Sequence, residues 1–185
     1  RAEPMTRFPA RLAAFAALVT ASAAAADPVP VALYADKGAG GKGPTSLTET
    51  LSANNEFAVT KVTADDIRAG KLKGFKVFVA PGGTGATQGK TLEAAGRDAV
   101  KKFVADGGTF VGICAGCYLA SCDYEWSLHI LPVTVVDKPN WARGHADLGL
   151  TVTTDGQDWL GRPADTVVTT IYHNESTGKR KVAFA

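Results

Sequence analysis

Gly107-Gly108-Thr109-Phe110-Val111-Gly112-Ile113-Cys114-Ala115-Gly116-Cys117-Tyr118-Leu119-Ala120 is the stretch on which the reading of this chain turns. A short apolar run, residues 109–113, reaches a cysteine with small neighbours and passes at once into a segment of helical character. Strand, nucleophile, helix is the form of a nucleophile elbow, where the reactive residue takes a strained backbone conformation at a sharp turn. Neighbours must then be small, and Gly112, Ala115 and Gly116 meet that need. A thiol over the first turn of a helix faces unpaired N–H groups and the positive end of the dipole, which favour thiolate over thiol. Cys114 is therefore the candidate nucleophile. The alternative is a buried cysteine at a tight junction with no chemistry, since cysteine is among the most buried residue types.

Moving outward, the chain before the elbow alternates between strand and helix signals. Residues 29–35 form a short apolar run, as expected of a central strand in a parallel sheet. A glycine-rich loop, residues 36–44, follows; it lacks both the Gly-Lys-Ser/Thr ending of a P-loop and a dinucleotide fingerprint, so it is expected to be a flexible rim loop. Ser46 and Glu49 have the spacing of a capping box at the start of a helix. Residues 57–62 read as a second strand, residues 63–67 as the start of a short helix, and residues 76–80 as a third strand. Gly82 and Gly83 then lie just past that strand, where backbone N–H groups can face the ligand crevice of an open α/β sheet. Residues 91–106 place Leu92, Ala95, Ala99, Val100, Phe103 and Val104 at helical spacing and end at Gly107-Gly108. The alternation implies a mainly parallel sheet with right-handed crossovers.

Beyond the elbow the character shifts. Residues 128–136, 148–154 and 166–172 are β-rich, with turns at 137–140, 155–157 and 161–163, which predicts a partly antiparallel extension. His129, within the first of these runs, is expected to be structural.

The amino terminus reads as a targeting segment. A basic start, an apolar core at residues 12–19 and the small residues 21–26 before Asp27-Pro28 have the order of a secretory signal, leaving one domain over residues 27–185. Residues 1–4 precede the single Met5 and read as upstream sequence. The expected location is periplasmic or secreted. The apolar core is short of the ~20 residues that span a bilayer, so no membrane span is expected in the mature chain. With 20 Lys+Arg against 18 Asp+Glu and no basic stripe, nucleic acid is not an expected partner. Three cysteines and three histidines fall into no metal-ligand spacing, and no cofactor is expected. In an oxidising compartment the three cysteines cannot all pair with one another; Cys117 and Cys122, read as lying on one helix, would diverge.

The elbow, together with the strand-end Val79-Ala80-Pro81-Gly82-Gly83, resembles the class I glutamine amidotransferase-like superfamily, which includes the PfpI-type proteins. Within it the chain is most similar to the amino-terminal domain of large biotin–protein ligases and their stand-alone bacterial relatives. The shared features are the Phe-x-Gly-x-Cys-Ala-Gly-x-Tyr elbow, an aromatic after the elbow helix (Trp126) and an Arg-Gly step (Arg143-Gly144). The resemblance covers roughly residues 30–172. It implies a flavodoxin-like three-layer α/β sandwich with Cys114 as nucleophile and an oxyanion hole from the backbone of Ala115 and of Gly82 or Gly83. A late His-x-Glu completes the triad in such amidotransferases, and His173 and Glu175 stand in that pattern here; relatives of the ligase type carry a Tyr-Asn-Gly-Gly there instead. Glu49 is a further candidate, because a glutamate of the first loop or helix contacts the nucleophile in several such families. Arg143 would favour a carboxylate-bearing ligand, and His145 beside it would reach the same pocket. Such relatives continue through further strands, so truncation at the carboxyl end is expected.

These features predict a cysteine-dependent hydrolase or amidotransferase-like protein acting on a small acyl or amide compound, with a homodimer as the oligomer to test. Two alternatives stay open: a ligand-binding module that keeps the elbow without the triad, and a redox protein using Cys114-Ala115-Gly116-Cys117 as a Cys-x-x-Cys.

Overall fold

In strand β1 (Val29–Tyr34) the last four side chains are all buried, the signature of a strand covered on both faces. The computed structural model describes residues 27–133 and 143–173. Helix α1 (Gly43–Ser52), strand β2 (Phe57–Val62), helix α2 (Ala64–Arg68) and strand β3 (Val77–Ala80) follow. Helix α3 (Gly85–Ala105), strand β4 (Thr109–Gly112) and helix α4 (Ala115–Ala120) complete the first part. The four strands form one parallel sheet in the order β2-β1-β3-β4.

Period-two alternation sorts the strand side chains into two layers. Ala32, Tyr34, Phe78 and Ala80 join Ile67, Leu92, Val100, Leu119 and Leu128 in the larger core, on the side of α2, α3 and α4. Val31, Leu33 and Val79 face the other way and pack with Leu47 and Leu51 of α1. Helices therefore cover both sides, giving the three layers of a flavodoxin-like sandwich. Because the chain leaves β1 toward β2 and returns to place β3 on the other side of β1, the topological switch lies between β1 and β3. Ligands of such sheets bind past the carboxyl ends of the strands at that point.

Several local expectations are corrected. Helix α1 begins with Lys42 as N-cap and a proline in its first turn, so Ser46 lies inside the helix and forms no box with Glu49. Proline at the start supplies a preset φ and lacks the N–H that would be unsatisfied there, which outweighs the Ser46 signal. The 36–43 loop is pinned: Gly40 N–H donates to the Gly82 carbonyl (2.7 Å) and Thr84 N–H to the Gly38 carbonyl (2.8 Å). Helix α3 starts at Gly85 and is kinked at Glu93 (φ 58°, ψ −176°). Carbonyls near the kink are capped from the side, Thr91 and Leu92 by Arg68 and Gly89 by Arg97.

The region after the elbow departs most from expectation. Residues 128–133 form no strand, because their N–H groups turn back onto α4 and its end: Leu128 to Leu119 O, His129 to Ser121 O, and both Ile130 and Leu131 to Ala120 O. His129 is exposed with φ 54°. The rest of that expected strand and the 137–140 turn lie outside the described residues, as do residues 1–26 and 174–185. Strands β5 (Arg143–Thr151) and β6 (Asp165–His173) pair antiparallel in a sheet of their own instead of extending the first. The expected 155–157 turn is part of helix α5 (Thr154–Leu160), started by Thr153, whose side chain accepts from Gly156 N–H.

Candidate active site at the Cys114 elbow

Register fixes the approach to the site. Ala80 of β3 pairs with Gly112 of β4, so the two chains leave the sheet side by side, one into Gly82-Gly83 and the other into Cys114. Cys114 is the N-cap of α4, with φ 54° and ψ −105°. That region is sparsely populated and costs a non-glycine residue about 1–3 kcal/mol. The surroundings hold it there. Ile113 N–H donates to Ala80 O, Gly116 N–H to Ile113 O, and Cys117 N–H to Cys114 O, all within 2.9–3.0 Å.

The small residues are demanded by backbone contact. A Cβ on Gly112 would stand 2.6 Å from the Gly116 carbonyl oxygen, and one on Gly116 would stand 2.2 Å from the Ala80 carbonyl oxygen. Strand, elbow and helix therefore approach more closely than any side chain allows.

Cys114 is exposed, and its sulfur lies beside Gly82: a Cβ built there would be 3.4 Å from Cys114 Cβ and 3.8 Å from Sγ. The next glycine serves a different end. Gly83 has φ 141°, and a Cβ on it would fall 2.1 Å from Gly38 O and 2.6 Å from Gly40 N. Gly83 faces Ala39 in an isolated antiparallel bridge whose bonds are made by its neighbours Gly82 and Thr84. The Gly82 carbonyl is thus spent on the rim loop, and the Gly83 N–H takes no part in that bridge. Ala115 is the first residue of α4, where an N–H has no acceptor within the helix.

Gln88 underlies this arrangement, and nothing in its sequence context marks it. It is fully buried, and its Nε2 donates to Pro81 O (2.9 Å) and Gly38 O (3.2 Å), tying the β1 and β3 loops together. Its Oε1 has no hydrogen-bond partner among the described residues. Trp126 closes the other flank: its indole and the Ala115 carbonyl both lie about 3.0 Å from where a Gly85 Cβ would be, and Tyr124 stacks on the indole at 4.4 Å.

Cys117 sits on α4, half-buried, with its thiol donating to Gly112 O (3.0 Å). Burial and the neighbouring Cys114 push its pKa up, against a smaller opposing effect of the Cys114 backbone N–H on its sulfur. Helix α4 ends at Ala120, so Cys122 is not on it; Cys122 is exposed and donates to Leu131 O. All three cysteines are thiols rather than disulfides.

Of the predicted site residues, Cys114, Gly82, Gly83 and Ala115 come together. Glu49 is exposed on α1 and has no hydrogen-bond partner among the described residues. Arg143, His145 and His173 lie in the β5–β6 hairpin, where the register sets Arg143 opposite His173 and His145 opposite Ile171. Glu175 lies outside the described residues. Among the described residues, no cluster of three or more His, Cys, Asp or Glu is placed to hold a metal ion, and no helix is long and apolar enough to cross a membrane.

Comparison with curated proteins gives no match. A family model described as biotin-protein ligase, N terminal, matches residues 29–142, which takes in the whole parallel sheet, the pinned rim loop and the elbow and leaves the hairpin outside. With more than half of its length matched, the chain belongs to the biotin-protein ligase N-terminal family.

Proposed function

We propose that Cys114 is the nucleophile of an acyl-transfer reaction, hydrolase or amidotransferase-like, on a small acyl or amide compound. The observation that carries this reading is the strained, exposed Cys114 beside Gly82 at the carboxyl end of the parallel sheet. Sγ attacks the substrate carbonyl carbon, its electron pair forms the S–C bond, and the π pair of the C=O bond moves onto the carbonyl oxygen. Two N–H groups suit that oxyanion, Ala115 at the helix start and Gly83, which the rim-loop bridge leaves over; one such donor is worth roughly 3 kcal/mol in acyl-transfer enzymes. Collapse of the tetrahedral adduct expels the amine or alcohol, and water releases the acyl group. His173 is assigned as the base that serves these proton transfers, with Glu175 orienting it and Arg143 receiving a substrate carboxylate. Residues 1–26 are assigned as an export signal, which places the chemistry outside the cytoplasm.

A second reading has support in one observation: Arg143, His145 and His173 belong to a hairpin separate from the parallel sheet. If that hairpin stays apart from the elbow, the protein binds a ligand without turning it over. Incubation with 4-nitrophenyl acetate separates the two. The enzyme reading expects an acetyl group on Cys114 by mass spectrometry and continued nitrophenol release, both lost in Cys114→Ala, with release beyond the first equivalent lost in His173→Ala. Equal release by wild type and Cys114→Ala sinks the catalytic reading. Acetylation of Cys114 that stops after one turnover in the wild type supports the binding module.

A further inference from the structure

We infer that Cys114 and Cys117 form a reversible oxidation site, in which Cys117 closes a disulfide onto Cys114 once peroxide has oxidised it. The inference rests on the reading of Cys114 as the reactive thiol and adds a role for a residue that acyl transfer does not use. The two cysteines bracket the first turn of α4, and Cys117 N–H bonds to the Cys114 carbonyl at 3.0 Å. Such a turn holds the Cα atoms of residues i and i+3 within about 7 Å. Disulfides span Cα separations of roughly 4.4–6.8 Å, so the backbone need hardly move.

Side-chain direction agrees. Helical side chains lean back toward the preceding turn, and Cys117 does so: its sulfur donates to Gly112 O and receives the Cys114 backbone N–H. The Cys117 sulfur is therefore in contact with the residue whose sulfur would be oxidised. Closing the bond requires Cys114 Sγ to turn from the Gly82 side to the Cys117 side about its first side-chain torsion, and exposed side chains change rotamer within picoseconds to nanoseconds. Cys122 cannot substitute, since it lies past the end of α4 with its thiol on Leu131 O.

The chemistry balances with hydrogen peroxide as oxidant. The Cys114 thiolate attacks one peroxide oxygen, an S–O bond forms as the O–O bond breaks, and hydroxide leaves and takes up a proton as water. The sulfur, now a sulfenic acid, has lost two electrons. Cys117 sulfur attacks it and gives up its proton, the S–S bond forms as the S–O bond breaks, and a second water departs. The nucleophile is then capped, shielded from the irreversible sulfinic and sulfonic states, and recovered by a dithiol reductant.

The test uses reduced protein carrying Cys122→Ser, exposed to equimolar hydrogen peroxide and mapped by peptide mass spectrometry. The expected product is a Cys114–Cys117 disulfide, lacking two hydrogens, that dithiothreitol reverses completely. In the further variant Cys117→Ser, whose hydroxyl can keep the bond to Gly112 O, Cys114 is instead expected to be trapped by dimedone as the sulfenic acid. Wild-type protein, which needs no substitution to fold, is mapped in parallel. Dimedone labelling of Cys114 with Cys117 intact and no disulfide overturns the inference and leaves the acyl-transfer reading standing. Both thiols untouched by peroxide overturns the inference too, and acetylation of Cys114 by 4-nitrophenyl acetate then shows whether the acyl-transfer reading falls with it.

Discussion

Two adjacent glycines are expected to respond to alanine in opposite ways. At Gly83, φ is 141°, a backbone that costs an alanine about 1–3 kcal/mol. The new Cβ would also stand 2.1 Å from Gly38 O and 2.6 Å from Gly40 N, both backbone atoms. Relief requires the 36–43 loop to move, which endangers the Gly40-to-Gly82 and Thr84-to-Gly38 hydrogen bonds, each worth about 0.5–1.5 kcal/mol. The sum is about 4 kcal/mol, equivalent to roughly 8–16 °C in Tm for a chain of this size. Gly82 is not in the left-handed region, and its Cβ would meet Cys114 Cβ at 3.4 Å and Sγ at 3.8 Å, ordinary contact distances. Gly82→Ala should therefore keep the wild-type Tm to within about 2 °C. Its methyl group nonetheless lies against the sulfur, and iodoacetamide alkylation of Cys114 should slow by about tenfold, some 1.4 kcal/mol of added barrier. Thermal melting and single-residue alkylation rates measure the two effects independently. A Gly83→Ala protein as stable as Gly82→Ala would refute the reasoning, because it would show that the rim loop is not pinned by that contact.

Removing the strain at the elbow should raise stability: Cys114→Gly should exceed Cys114→Ala by about 1 kcal/mol in urea unfolding, the 1–3 kcal/mol of strain less the 0.5–1 kcal/mol lost to glycine's freedom in the unfolded chain. Cys117 should resist iodoacetamide at neutral pH while Cys114 and Cys122 are labelled; its raised pKa keeps it protonated there, and labelling should appear only as pH climbs above the ordinary thiol range, followed by peptide mapping across pH. Gln88→Met should lower stability by about 1–3 kcal/mol through loss of its two amide bonds, and Gln88→Glu by more, since it buries an acceptor-only carboxylate against the Pro81 and Gly38 carbonyls. Parallel denaturant titrations give both values, and a Glu variant more stable than Met would contradict the assignment.

What the sequence made legible was what depends on local pattern. Short apolar runs gave β1 as a central strand and β3 as a strand, and the small residues around Cys114 gave the elbow, because backbone contact there excludes anything larger. Illegible features depended on distant partners. The early start of α3 runs through Gly85 and Gly89, poor helix formers retained because a Cβ on Gly89 would fall 2.1 Å from Trp126 O. The β-rich residues 128–133 are not a strand because their N–H groups are claimed by carbonyls of α4 and its end. Gln88 carried no signal at all, its meaning lying in two carbonyls that approach only in the folded sheet.

The way the elbow is held separates reactivity from selectivity. Its strained conformation is fixed by main-chain bonds from Ile113, Gly116 and Cys117 and by the close approach of Gly112, Gly116 and the Ala80 carbonyl. The donors assigned to the oxyanion, at Ala115 and Gly83, are main-chain groups as well. Substituting an exposed side chain elsewhere cannot displace any of these atoms by the fraction of an ångström that matters, because interiors packed on backbone contacts deform little. On the proposed acyl-transfer reading, choice of substrate then falls to side chains around the elbow, with Tyr124 and Trp126 the large aromatic pair on its flank. Replacing Tyr124 should therefore alter which acyl esters acylate Cys114 without altering the rate with the smallest of them, whereas Gly82→Ala should slow every ester alike.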